Sequence, residues 1–100
     1  MLHTVNKSPY ERNSLATCLR LAKAGSTILL IEDAVYAALR DTTVTDRIRE
    51  ATEKHRLFAL EPDLKARGLE SGRLIEGIAV VDYGGFVDLV VTHEKIQSWL

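Results

Sequence analysis

Apolar positions along the chain follow two periods. Four short segments are nearly all aliphatic: LHTV at 2–5, STILLIE at 26–32, RLFALE at 56–61 and GIAVVDY at 77–83. The second and fourth are almost unbroken apolar runs, the pattern of strands covered on both faces in a parallel sheet. Between these runs the period lengthens. Leu15, Cys18, Leu19 and Ala22 recur at i, i+3, i+4 and i+7 while Arg20 and Lys23 turn elsewhere. This spacing predicts an amphipathic helix, with Asn13 or Ser14 as N-cap and Gly25 as its stop. AVYAALRD predicts a short helix after the second strand. TDRIREATEKH predicts another, opened by Thr45 or Asp46, with Arg47, Arg49, Glu50 and Glu53 on its solvated face. PDLKARG at 62–68 predicts a further short helix with Pro62 in its first position and Gly68 just past its end.

Strand alternating with helix specifies an α/β fold: one three-layer domain over residues 1–100, with a mostly parallel sheet of about four to five strands flanked by helices. The last segment, GGFVDLVVTHEKIQSWL, predicts a helix beginning after Gly84 and Gly85. Its apolar positions Phe86, Leu89, Val90, Ile96, Trp99 and Leu100 are too many for one narrow stripe. A small sheet with open edges and this surplus of apolar surface predicts a partner chain.

Composition narrows the function. Thirteen basic and fourteen acidic side chains, interspersed and summing to −1, provide no basic footprint for nucleic acid or an acidic membrane. The apolar runs are too short to span a bilayer. A single cysteine excludes an internal disulfide and, with no basic-then-apolar leader pattern at the start, fits a reducing cytoplasm.

Candidate chemistry is sparse. Ligands in open α/β sheets gather beyond the carboxyl ends of strands. Asn6, Lys7, Glu32, Asp33, Glu61, Asp82 and Tyr83 stand there. Glu32, Asp33 and Asp82 are candidates for an acidic pocket that holds Mg²⁺ or accepts a phosphoryl group, but acidic residues at strand ends more often serve as N-caps and first-turn charges of the helices that follow. Gly84-Gly85 suits either a phosphate approach or a tight turn, and no full phosphate-binding motif is present. His3, His55 and His93 share no metal-ligand spacing with one another or with Cys18. Cys18 lies on the apolar stripe of its helix. That placement fits a core residue, and a reactive thiol would need access and a neighbouring cation.

Taken together, LHTVNKSPYERNSLATCLRLAKAG, ILLIEDAVYAAL, LFALEPDLKARGL, VVDYGGFVDLVVTH and the terminal Trp99-Leu100 resemble the DsrH/TusB family in colinear order over nearly the whole chain. The resemblance implies one subunit of a cytoplasmic sulfur-relay complex. That complex is a heterohexamer with two copies each of this chain, a DsrE/TusD-like subunit and a DsrF/TusC-like subunit. Sulfur moves through it as a cysteine persulfide, from a principal acceptor on the DsrE/TusD-like chain to a DsrC/TusE-like carrier, without metal or organic cofactor. It implies an accessory role in a sulfurtransferase complex, mainly in assembly and docking, with Cys18 as a subsidiary persulfide candidate. Cys18 and the close match through NKSPYERNSLATC favour the DsrH type, which serves sulfur oxidation, over the TusB type, which serves tRNA 2-thiouridine formation.

Overall fold

The computed structural model describes residues 1–100. Its elements in order are strand β1 (Leu2–Val5), helix α1 (Ser14–Leu21), strand β2 (Thr27–Leu30), a 3₁₀ helix (Glu32–Ala38), helix α2 (Thr45–Lys54), strand β3 (Arg56–Leu60), helix α3 (Glu61–Ala66), a 3₁₀ turn (Ser71–Arg73), strand β4 (Ile78–Val81), helix α4 (Tyr83–Thr92) and strand β5 (Ile96–Trp99). The five strands pair in the order β4-β3-β2-β1-β5, every pair parallel. The α/β class and the flanked parallel sheet agree with the expectation, at its upper strand number.

Strand order dictates the layers. From β1 to β4 each connection steps one strand in the same direction, so right-handed crossovers lay α1, α2 and α3 on one face. There Val5, Ile28, Leu30, Leu57 and Ala59 from the sheet pack with Leu15 and Cys18 of α1, Ile48 and Ala51 of α2 and Leu64 of α3. The step from β4 to β5 runs the other way, across the whole sheet, and the same handedness puts α4 alone on the opposite face. Gly85 permits that packing: a Cβ on it would lie 3.0 Å from Val81 Cβ. The two layers are unequal. All four residues of β2 are buried, whereas α4 has no buried residue.

Three local readings are corrected. The last segment starts as a helix, as expected, but closes as strand β5, with Leu2 to Val5 opposite Ile96 to Trp99. IQSW has too few apolar residues to announce a strand, and β5 forms because β1 presents an open edge. Trp99 reaches the core face, where its Nε1 donates to His3 Nδ1 at 3.0 Å. AVYAALRD begins earlier than expected and winds as a 3₁₀ helix. Ala34 with Ala37 and Val35 with Ala38 stack three apart, all buried, and the small side chains allow the tighter coil to sit on the sheet.

The third correction concerns the caps. Asn13 occupies the N-cap position of α1 and Thr45 opens α2, as expected, but neither helix start has a side-chain cap hydrogen bond. Ser14 Oγ donates instead to the Leu100 carbonyl at 2.8 Å, and Thr45 Oγ1 to the Leu39 carbonyl at 3.1 Å. Gly25 does not stop α1, which ends at Leu21. It turns the chain into β2 at φ +86°, donating to the Lys54 carbonyl at 2.7 Å. Gly68 lies just past the end of α3, as the sequence predicts, while Pro62 is its second residue rather than its first, because the helix already begins at Glu61.

Trp99 is the one large side chain that fastens β5 to the core. Trp99→Ala is expected to lower unfolding free energy by about 2 kcal/mol in chemical denaturation, less than the about 3–5 kcal/mol of a fully enclosed aromatic. An unchanged denaturation midpoint would contradict the role given to it.

Candidate functional site

Cys18 sits mid-helix on the sheet-facing side of α1, wholly buried among Leu15, Val5 and the rest of the core. Burial disfavours the thiolate and pushes its pKa up to about 12. No cation offsets this. At neutral pH the sulfur is a protonated, enclosed thiol, the opposite of the exposed, low-pKa environment of reactive cysteines.

The acidic residues at the strand ends do not converge. Asp33 binds Arg67, whose Nε and Nη2 donate to its Oδ1 at 3.0 and 2.9 Å. Asp63 accepts from the backbone N–H of Glu32 at 2.7 Å and so supports that residue's left-handed conformation at φ +50°. Asp82 follows β4, two strands from the β2 end that carries Glu32 and Asp33, about 10 Å by strand spacing, and caps α4 by accepting from Gly85 N–H at 2.8 Å. No three His, Cys, Asp or Glu side chains are arranged to hold a metal ion. The acidic-pocket candidate is thus not formed, and the alternative holds: Glu32 and Asp33 are first-turn residues of the 3₁₀ helix, Asp33 in an ion pair with Arg67, and Asp82 is the N-cap of α4. Gly84-Gly85 opens α4, and Gly85 serves its close packing on Val81.

Two histidines share the amino-terminal end of the sheet. Both are buried, and desolvation lowers both pKa values. The chain's amino terminus and His55 depress His3 further, and Lys54 depresses His55. Neutral His3 is the acceptor that Trp99 requires. His93 stands apart at the end of α4, its Nδ1 2.6 Å from the Leu89 carbonyl.

The feature that stands out is apolar surface. On α4, Phe86, Leu89 and His93 form the half-buried stripe. Tyr83, Val87 and Val91, at i, i+4 and i+8, make an outward ridge, exposed at 62%, 58% and 73%. Ala79 and Ile96, on the same sheet face at its opposite edges, are exposed as well. One ten-residue helix cannot cover five strands. The sequence reading found the surplus but named Phe86, Leu89 and Val90 rather than this ridge. The available signal was the pair of valines four apart, a β-branched type that helices disfavour when packing does not demand it.

These burials predict a stability profile limited on both sides. The lowered histidine pKa values mean that the unfolded chain binds protons first, so their contribution is present above about pH 6.5 and is lost on acidification. The raised thiol pKa means that the unfolded chain ionises first, so stability falls as pH rises from about 9 towards about 12. In denaturation series across pH, Cys18→Ala is expected to flatten only the alkaline limb and His3→Gln only the acid limb. Parallel curves for Cys18→Ala and the parent would contradict the burial of the thiol.

A family model described as DsrH like protein matches residues 7–96. Protein TusB of Escherichia coli O1:K1 is 39% identical over 99 residues, covering 99% of this chain and 100% of that protein. Protein TusB of Shigella flexneri is 38% identical over the same coverage. Among solved structures, the ychN protein of E. coli superposes with a TM-score of 0.83 at 20% identity, over 98% of this chain and 97% of that one. MTH1491 of Methanobacterium thermoautotrophicum superposes with a TM-score of 0.76 at 20% identity, over 97% and 95%. The two structures share the fold, and the sequence matches go further: this chain belongs to the DsrH family, with TusB a relative along its full length.

Proposed function

We propose that the chain is an accessory subunit of a sulfur-relay complex and contributes assembly and docking surface rather than a sulfur-carrying thiol. The observation that carries this reading is the bare Tyr83, Val87 and Val91 ridge on a DsrH-family chain whose only cysteine is enclosed. Its partners are a DsrE/TusD-like and a DsrF/TusC-like subunit, two copies of each chain in a cytoplasmic heterohexamer, with a DsrC/TusE-like carrier docking on the assembly. Burying an apolar ridge of this kind is what permanent subunit interfaces do. The end-to-end likeness to TusB favours the tRNA 2-thiouridine branch over sulfur oxidation.

The chemistry takes place on partner chains. An acceptor thiolate attacks the outer sulfur of a donor persulfide, the S–S bond breaks, and the donor cysteine leaves as a thiolate. Each step needs an ionised, reachable sulfur. Cys18 is neither in this fold, and loading it would require α1 to leave the sheet.

Two results are expected. Val87→Lys combined with Val91→Lys should fold with unchanged thermal stability, because both positions are exposed, yet fail to co-purify with co-expressed TusC- and TusD-type partners. Retained co-purification would contradict the interface. Under anaerobic exposure to a sulfane-sulfur donor, intact mass should show no added sulfur on this chain while the TusD-type partner gains one. A gain that disappears in Cys18→Ser would restore Cys18 as a subsidiary acceptor.

A further inference from the structure

The groove between α1 and α2 is lined along one end by Arg20, Arg47 and Lys54, and along the other by Arg12 with Arg47 again. Ala16 and Leu19 run through both ends as floor, joined by Ala51. Glu50 is the single carboxylate on it, and it lies 4.0 Å from Lys54. Arg12, Arg20 and Arg47 pair with no carboxylate, whereas Arg49 and Lys65 are paired on their own helices and Arg67 pairs with both Asp33 and Asp63. In a chain of net charge −1 this is a local excess of unpaired cations over an apolar floor. The buried ring of His55 closes one end, its Nδ1 without a hydrogen-bond partner.

We propose that this groove docks an acidic amphipathic helix of a partner protein, with apolar side chains on the Ala16, Leu19 and Ala51 floor and carboxylates against the arginines. The geometry favours this occupant over other anions. Arg47 and Lys54 are two helical turns apart, about 10 Å, so the cations are spread along the groove, which suits several carboxylates in a row. No Phe, Tyr or Trp lines the groove to stack a base, which is how single-stranded RNA is held. A trough between two helices with an apolar floor and a charged rim matches the helix-in-groove mode of recognition. The site lies on the sheet face opposite α4, so it stands or falls independently of the Val87 and Val91 ridge.

The test is fluorescence anisotropy of the full chain with a labelled synthetic peptide about three helical turns long, leucine at every third or fourth position and glutamate elsewhere. Binding is expected to saturate, to weaken with added salt, and to weaken about tenfold or more in Arg20→Glu/Arg47→Glu. Arg20→Gln/Arg47→Gln, which keeps side-chain size, should give an intermediate loss, and Lys95→Glu, outside the groove, should leave affinity unchanged. The proposal is overturned by no saturable binding, by equal affinity for the lysine-for-glutamate peptide, or by equal affinity of the double charge reversal. Displacement of the peptide by equimolar inorganic phosphate, or by an oligouridylate at lower concentration, would also overturn it and assign the groove to that anion.

Discussion

A sheet whose strands are all parallel needs cover on both faces, and this chain has connections enough to cover only one of them fully. Three crossovers of one hand and one direction stack α1, α2 and α3 on the same side. The single reversal, from β4 across to β5, leaves the other side to α4 alone. The remaining features follow from that imbalance. The thick layer holds the core and, inside it, Cys18. The thin layer is a helix with no buried residue and an apolar outer ridge. The same reversal delivers β5 to the free edge of β1, where Trp99 meets His3.

Burial decides what the polar groups can do. A thiol in the middle of α1, packed against β1 and far from any compensating charge, is held protonated. Carboxylates at the strand ends, which in other α/β proteins gather around a ligand, are here spent on Arg67, on the strained backbone of Glu32 and on the first turn of α4. The chain keeps a fold suited to ligand chemistry while its polar residues hold the fold together. Its free surface chemistry lies elsewhere, in an apolar ridge on one face and an unpaired basic groove on the other.

The continuous apolar runs STILLIE and GIAVVDY were readable as strands, but only the first is covered on both faces as its pattern predicts: β4 lies at the sheet edge, where Ala79 and Val80 remain exposed. The α1 stripe through Leu15, Cys18 and Leu19 was equally readable from its spacing. Strand β5 was not, since IQSW draws its strand character from pairing with β1 rather than from its own residues. The 3₁₀ geometry of Glu32–Ala38 depends on how closely alanines can approach the sheet, a tertiary property. Capping hydrogen bonds were misread for a related reason: Ser14 and Thr45 found partners distant in sequence or outside their own helices. The surplus of apolar residues after Gly85 was visible, but which of them faced outward depended on the crossover that places α4.

The central claim, that α4 is an incomplete layer awaiting a partner, is tested most directly by amide hydrogen exchange on the chain alone and in its co-purified complex. The account predicts that amides of α4 and of the edge strand β4 exchange quickly in the isolated chain and become strongly protected on assembly, while those of β2 are protected in both states. Protection of α4 already equal to that of β2 in the isolated chain, with no change on assembly, would contradict it.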